Sequence, residues 1–148
     1  MNAKAESFKK FLDEKKINAF TSEELQDNQF HSVVFRSKID IHGNQLPTIV
    51  VLDDTPYCMI RVAVAPQAQT ADSTDKEKAA LAELINGYNR KYKPLKFYLD
   101  QQGNLVLDVC LFFKDETEVD GDLIYSMYDL IIRQLTDEYK NIMKAIWG

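Results

Sequence analysis

The chain has 148 residues, 45% hydrophobic and 28% charged, with five Gly and four Pro. Disordered, collagen-like and low-complexity classes are excluded, and one soluble globular domain over residues 1–148 is expected. Eighteen Lys and Arg against twenty-three Asp and Glu leave a formal charge of −5, which disfavours phosphate-backbone binding, so no nucleic-acid partner is expected.

Phe8, Phe11 and Leu12 recur at three- and four-residue intervals among charged residues and predict a helix over about residues 3–16. From Phe30 the period becomes two: Val33, Phe35, Ile39 and Ile41 alternate with Val34, Arg36, Lys38, Asp40 and His42, as in a strand with one apolar face. His42-Gly43-Asn44-Gln45 supplies turn chemistry. A second strand follows from Leu46 to Leu52, with Pro47, which lacks an N–H, at its start. Asp53-Asp54-Thr55-Pro56 turns the chain into a third strand, Tyr57 to Ala65, completing a meander. Thr74-Asp75-Lys76-Glu77 has the spacing of a capping box, so a second helix starts there. Its stripe of Leu81, Leu84, Ile85, Tyr88 and Tyr92 runs until Pro94 forbids more helix. Leu95 to Leu99 and Leu105 to Phe113 flank Asp100-Gln101-Gln102-Gly103-Asn104 and predict a second hairpin. Leu123, Met127, Leu130, Ile131, Leu135, Ile142 and Ile146 predict a last helix over about residues 120–146, roughly 40 Å long. The expected fold is α+β in the order α-β-β-β-α-β-β-α, a five-stranded antiparallel sheet packed with three helices.

The strands carry more apolar surface than such a fold needs. On the last strand Leu105, Leu107, Val109, Leu111 and Phe113 fill one face, while the other holds Val106, Cys110 and Phe112 with Asp108 alone polar. The third strand sets Cys58, Ile60, Val62 and Val64 on one side and Tyr57, Met59 and Ala63 beside Arg61 on the other. A sheet covered on one side alternates more clearly than this. Helices one and three are expected over one face and helix two over part of the other, with a second copy or a ligand covering the remainder. The expected partner or dimer surface comprises Cys58, Ile60, Val62, Tyr88, Tyr92 and Phe112.

Catalytic chemistry is not advertised. The only two histidines, His31 and His42, stand at a strand entrance and in a turn without a nucleophile motif, and they read as structural. No G-x-S-x-G, P-loop or dinucleotide fingerprint occurs. Cys58, Cys110, His31 and His42 match a Cys₂His₂ zinc site in number, but their spacings are long. Glu116 to Gly121 has the look of a calcium loop, yet Met127 stands where the closing Glu belongs. The acidic run is better explained as favourable charge at a helix N-terminus, and Arg90, Lys91 and Lys93 as cations at a helix C-terminus. No cofactor is expected. Apolar runs fall short of the ~18 residues of a membrane-crossing helix, so no membrane partner is expected. With no apolar leader at Met1-Asn2-Ala3-Lys4-Ala5-Glu6 and no cysteine framework, the expected location is cytoplasmic.

The element order, with Ile85-Asn86-Gly87-Tyr88-Asn89, Lys96-Phe97-Tyr98-Leu99-Asp100 and Gly103-Asn104-Leu105-Val106-Leu107-Asp108, resembles the bacterial YbjN-like family over about residues 5–147. That family is similar to the type III secretion chaperone fold. Ile49 to Tyr57 and Tyr139 to Lys144 are similar to an uncharacterised Gram-positive branch of it. The resemblance implies a small, acidic, cytoplasmic homodimer without catalytic residues that holds extended segments of a client protein. The expected function is thus a non-enzymatic, chaperone-like protein-binding or regulatory module. The alternative is a small-molecule-binding protein or small enzyme with a pocket between helices and sheet, marked by convergent polar groups of perturbed ionisation.

Overall fold

A computed structural model describes residues 1–26 and 29–148. The elements in chain order are α1 (Ala3–Glu14), β1 (Thr21–Glu24), β2 (Val33–Ile41), β3 (Asn44–Leu52), β4 (Tyr57–Ala65), α2 (Asp75–Lys91), β5 (Lys96–Leu99), β6 (Leu105–Phe112) and α3 (Gly121–Trp147). The strands form one antiparallel sheet in the order β1-β2-β3-β4-β6-β5. The α+β class, the three helices and the meander agree with expectation, but the sheet has six strands and not five. The additional β1 is Thr-Ser-Glu-Glu with every side chain exposed. It has no apolar period to read; it is a strand because its backbone pairs with Val33–Arg36 at the sheet edge.

Local chemistry explains where the elements start and turn. The Thr74 hydroxyl accepts from the Glu77 amide at 3.1 Å while Glu77 accepts from the Thr74 amide at 3.0 Å, so the capping box forms. Asp120 caps α3 by accepting from the Leu123 amide at 3.0 Å. The β2–β3 loop is only His42 and Gly43, since Ile41 pairs with Asn44. Their φ values of +52° and +84° are those of the primed turn whose twist matches a hairpin. Pro47 therefore lies inside β3 rather than at its start. The β3–β4 ladder nevertheless begins just after it, at Thr48↔Val62, although β4 continues to Ala65.

Register places Phe35, Val50, Ile60 and Val109 in one row on the same face, with Val62, Leu107 and Phe97 in another. All three helices lie over this face. The Phe8 ring of α1 meets Phe35 at 5.0 Å, Tyr88 of α2 meets Phe97 at 5.1 Å, and Ile124, Ile131, Leu135 and Ile142 of α3 join the same buried cluster. The expectation that α2 shields the opposite face is corrected. Its Tyr88 hydroxyl donates to Glu138 of α3 at 3.3 Å. Asn89 clasps the Phe97 backbone, accepting from its amide at 2.7 Å and donating to its carbonyl at 3.0 Å. These bonds and the Phe97 packing hold α2 beside α3 over β5.

Candidate functional site

With the three helices on one side, no described helix covers the other side of the sheet, although Val34 and Val106 on it are buried. The rows across it are Val34–Val51–Met59–Cys110, Arg36–Ile49–Arg61–Asp108–Lys96 and Tyr57–Phe112, with Ala63–Val106–Tyr98 at the far end. Tyr57 is 52% and Phe112 65% exposed, their rings edge to face at 5.8 Å. Cys110, Ala63 and Pro47 are exposed, and Ile49, Val51 and Met59 are half-buried. Fully burying a Phe-sized side chain stabilises by roughly 1.5–3 kcal/mol, and these residues forgo much of that in the isolated chain.

Near the centre, the Arg61 guanidinium grips Asp108 with two bonds of 2.8 and 3.0 Å. The Tyr98 hydroxyl donates to the same carboxylate at 2.8 Å. The hydrogen bond to Asp108 raises the Arg61 pKa; burial, followed by the Asp108 bond, raises that of Tyr98. The three groups satisfy one another and leave no unpaired charge at the middle of an apolar face. A hollow of about 710 Å³ lies beside them, between Tyr57, Met59 and Cys110 on the sheet and Lys93 and Pro94 ahead of β5.

The six residues expected to form the surface divide. Phe112 lies on the open face. Cys58, Ile60 and Val62 are 0% exposed beneath the helices, and Tyr88 is 6% exposed between α2, β5 and α3. Tyr92 is half-buried at the end of α2, with Lys91 over its ring at 5.2 Å. The correction is one of parity: Phe112 pairs with Tyr57 and Cys58 with Leu111, so the companions of Phe112 are Tyr57, Met59 and Cys110. Reading each strand's alternation and then locking the register across the hairpin identifies that set.

Both histidines are held by structural partners. His31 Nδ1 meets Asp54 at 2.5 Å and His42 Nε2 meets the Thr136 carbonyl at 2.7 Å. Burial pushes the Cys58 thiol up to about 12, and it raises Tyr128 and Tyr88, so these groups stay neutral inside the core. Among the described residues no three His, Cys, Asp or Glu side chains gather as metal ligands, and no helix is long and apolar enough to cross a membrane.

No family model matches the sequence, and no curated protein matches it. Among solved structures the chain is similar to one described as the crystal structure of the ExsC–ExsE complex. The TM-score is 0.56 at 9% identity, with 95% of this chain and 96% of that chain covered. At that identity the likeness is one of fold, and the fold is the type III secretion chaperone-like one.

Proposed function

We propose that the chain is a non-enzymatic, chaperone-like protein-binding module that acts as a cytoplasmic homodimer through its open sheet face. The observation that carries this reading is the two unpartnered rows Tyr57–Phe112 and Met59–Cys110 beside a self-satisfied polar cluster. A face of that composition gains by pressing against another protein surface, and aromatic anchors carry most of the energy of such contacts. The similar solved structure is itself a complex of two named proteins, which supports a role in holding a partner. Both cysteines are free thiols, in keeping with a reducing compartment. Membership of the YbjN-like family belongs to the same proposal and rests on the short motifs in α2, β5 and β6.

Light scattering tests the dimer. The wild-type chain is expected at twice its 17.1 kDa mass, and Phe112→Glu, which places a charge in the aromatic part of the contact, at the mass of one subunit. A wild-type chain that stays monomeric at every concentration, or a Phe112→Glu dimer as tight as the parent, overturns it.

A further inference from the structure

The sheet parts at one end. β3 and β4 pair from Leu52↔Cys58 to Thr48↔Val62 and no further, although β3 reaches back to Asn44 and β4 on to Ala65. Past that point β3 stays with β2, while β4 stays with β6 through a bulge at Ala63/Ala65. Each tip is fastened on its own side. His42 in the β2–β3 turn meets the Thr136 carbonyl of α3 at 2.7 Å, and its ring lies 6.5 Å from that of Tyr139. The Gln67 amide donates to Asn104 at 2.8 Å and the Gln69 amide to the Gly103 carbonyl at 3.0 Å, which binds the chain after β4 to the β5–β6 turn. The approach there is close: a Cβ on Gly103 would stand 1.9 Å from the Gln69 carbonyl oxygen. The strands are thus held apart by contacts outside the gap, and the gap is built into the native packing.

The gap is a cleft of about 670 Å³, within the range of about 300–1,000 Å³ typical of small-molecule sites. It reaches between the strands to α3, where Tyr139, Met143 and Trp147 line it at four-residue intervals, one stripe of the helix. Tyr139 and Met143 are half-buried and Trp147 is 65% exposed. Leu46, Val64 and Leu105 add aliphatic walls. Two aromatic side chains and a thioether gathered in this way favour a ring as occupant, through stacking and sulfur–aromatic contact. The polar lining is already engaged. Arg61 is held by Asp108 at 2.8 and 3.0 Å, and Asp100 accepts from the Gln102 and Asn104 amides at 2.9 Å each. The Asn44 and Gln45 side chains donate to the Ile41 carbonyl at 3.1 Å and to Asp40 at 2.6 Å. A charged ligand would leave water for walls whose ions are matched, and that desolvation would go uncompensated.

We propose that this cleft binds an uncharged aromatic small molecule, which enters between β3 and β4 and packs against the Tyr139–Met143–Trp147 stripe of α3. The inference goes beyond the protein-binding reading and does not rest on it. A flat molecule suits an opening bounded on both long sides by main chain, and Ala63, small and exposed, leaves the entrance clear. The volume suits a molecule of roughly two or three rings. The site is also separate from the aromatic pair of the open face. Ala63 stands roughly 20 Å along β4 from Tyr57, so a second copy resting on Tyr57 and Phe112 leaves the cleft free.

The test titrates the full chain with N-phenyl-1-naphthylamine, which is uncharged, and with 8-anilinonaphthalene-1-sulfonate, which has the same rings and one anionic group. The uncharged molecule is expected to saturate at one per chain and to quench Trp147, the only tryptophan, by energy transfer. The sulfonate is expected to bind at least about tenfold more weakly, as an unmatched charge should. Ala63→Phe, which fills the entrance from an exposed position, and Trp147→Ala, which removes one wall, are each expected to weaken the uncharged molecule by about tenfold with the circular dichroism spectrum unchanged. Phe112→Glu, on the open face, is expected to leave its binding unchanged. A sulfonate that binds as tightly, cleft variants that bind like the parent, loss of binding in Phe112→Glu, or a titration without saturation overturns the proposal. A strictly monomeric chain that binds the uncharged molecule upholds the cleft without the dimer, and a dimer that does not bind it overturns the cleft alone.

Discussion

Lys4 is 0% exposed on the first turn of α1. Its amine donates to the Thr55 and Tyr57 carbonyls at 2.5 Å each, with Asp53 at 4.0 Å. Next to it, Asn2 accepts from the Ala5 amide at 2.8 Å and donates to the His31 and Leu52 carbonyls at 2.8 and 2.9 Å. Two polar side chains thus fasten the start of α1 to the end of the sheet. Lys4→Met keeps the length but strands two carbonyls, and is expected to lower stability by about 1–3 kcal/mol, read from the urea midpoint. Cys58 sets a pH dependence. Its folded pKa is raised from 9.0 to about 12, so the native state holds a proton that the unfolded chain has released. The stability this contributes is complete below pH 9.0 and is lost at up to about 1.4 kcal/mol per pH unit as pH climbs towards 12. Denaturation of Cys58→Ala is expected to show a flatter decline over that window. A thiol reagent added to the folded, monomeric Phe112→Glu variant is expected to modify Cys110 and spare Cys58. Neither Lys4 nor Asn2 was legible in the sequence, because a lysine in an amphipathic stretch reads as solvated until its long-range carbonyl partners are known.

At the scale of elements, signals held within a few residues transferred almost intact. The Thr74–Glu77 box, the His42–Gly43 turn and the α3 helix depend on neighbours one to four positions away, and the structure realises each, although the buried face at the start of α3 is Ile124 and Tyr128, with Leu123 exposed and Met127 and Leu130 half-buried. Elements defined by distant neighbours did not show. β1 needs the β2 edge, and the parted β3–β4 ladder needs hairpin tips anchored on opposite sides. Gly121 lies between these cases. The acidic run before it reads as a helix start, and Asp120 is the cap. Glycine opens α3 for a tertiary reason: a Cβ there would stand 2.4 Å from the Phe11 ring of α1. Gly121→Ala is expected to cost about 1–3 kcal/mol through overpacking, in spite of its better helix propensity. Thermal melts of the single variant and of Gly121→Ala with Phe11→Leu check this, the smaller side chain restoring part of the loss.

At the scale of the whole molecule, the sequence carried the surplus of apolar strand surface but not its placement. Alternation sorted Tyr57, Met59, Arg61 and Ala63 from Cys58, Ile60, Val62 and Val64, and the structure keeps both groups intact. Which group meets the helices is decided by where α2 finds its partners. The Asn89 clasp on Phe97 and the Tyr88 bond to Glu138 draw it to the same side as α1 and α3, and periodicity does not encode such distant bonds. Hence Cys58, Ile60 and Val62 fell in the core and Tyr57, Met59 and Cys110 on the open side.

The Arg61–Asp108–Tyr98 trio governs how that side responds to its surroundings. Its own charges cancel within a few ångströms and Lys96 beside it lies over the Tyr98 ring at 4.9 Å, so a body resting on it meets mainly apolar contact and shape, with a weak long-range pull for dissolved ions to shield. Association across this face is therefore expected to be nearly indifferent to ionic strength, its dissociation constant moving less than about threefold between roughly 50 mM and 500 mM sodium chloride. Sedimentation at the two concentrations reads this directly. Asp108→Asn, which leaves the guanidinium uncompensated, is expected to bring a steep salt response to an otherwise insensitive contact.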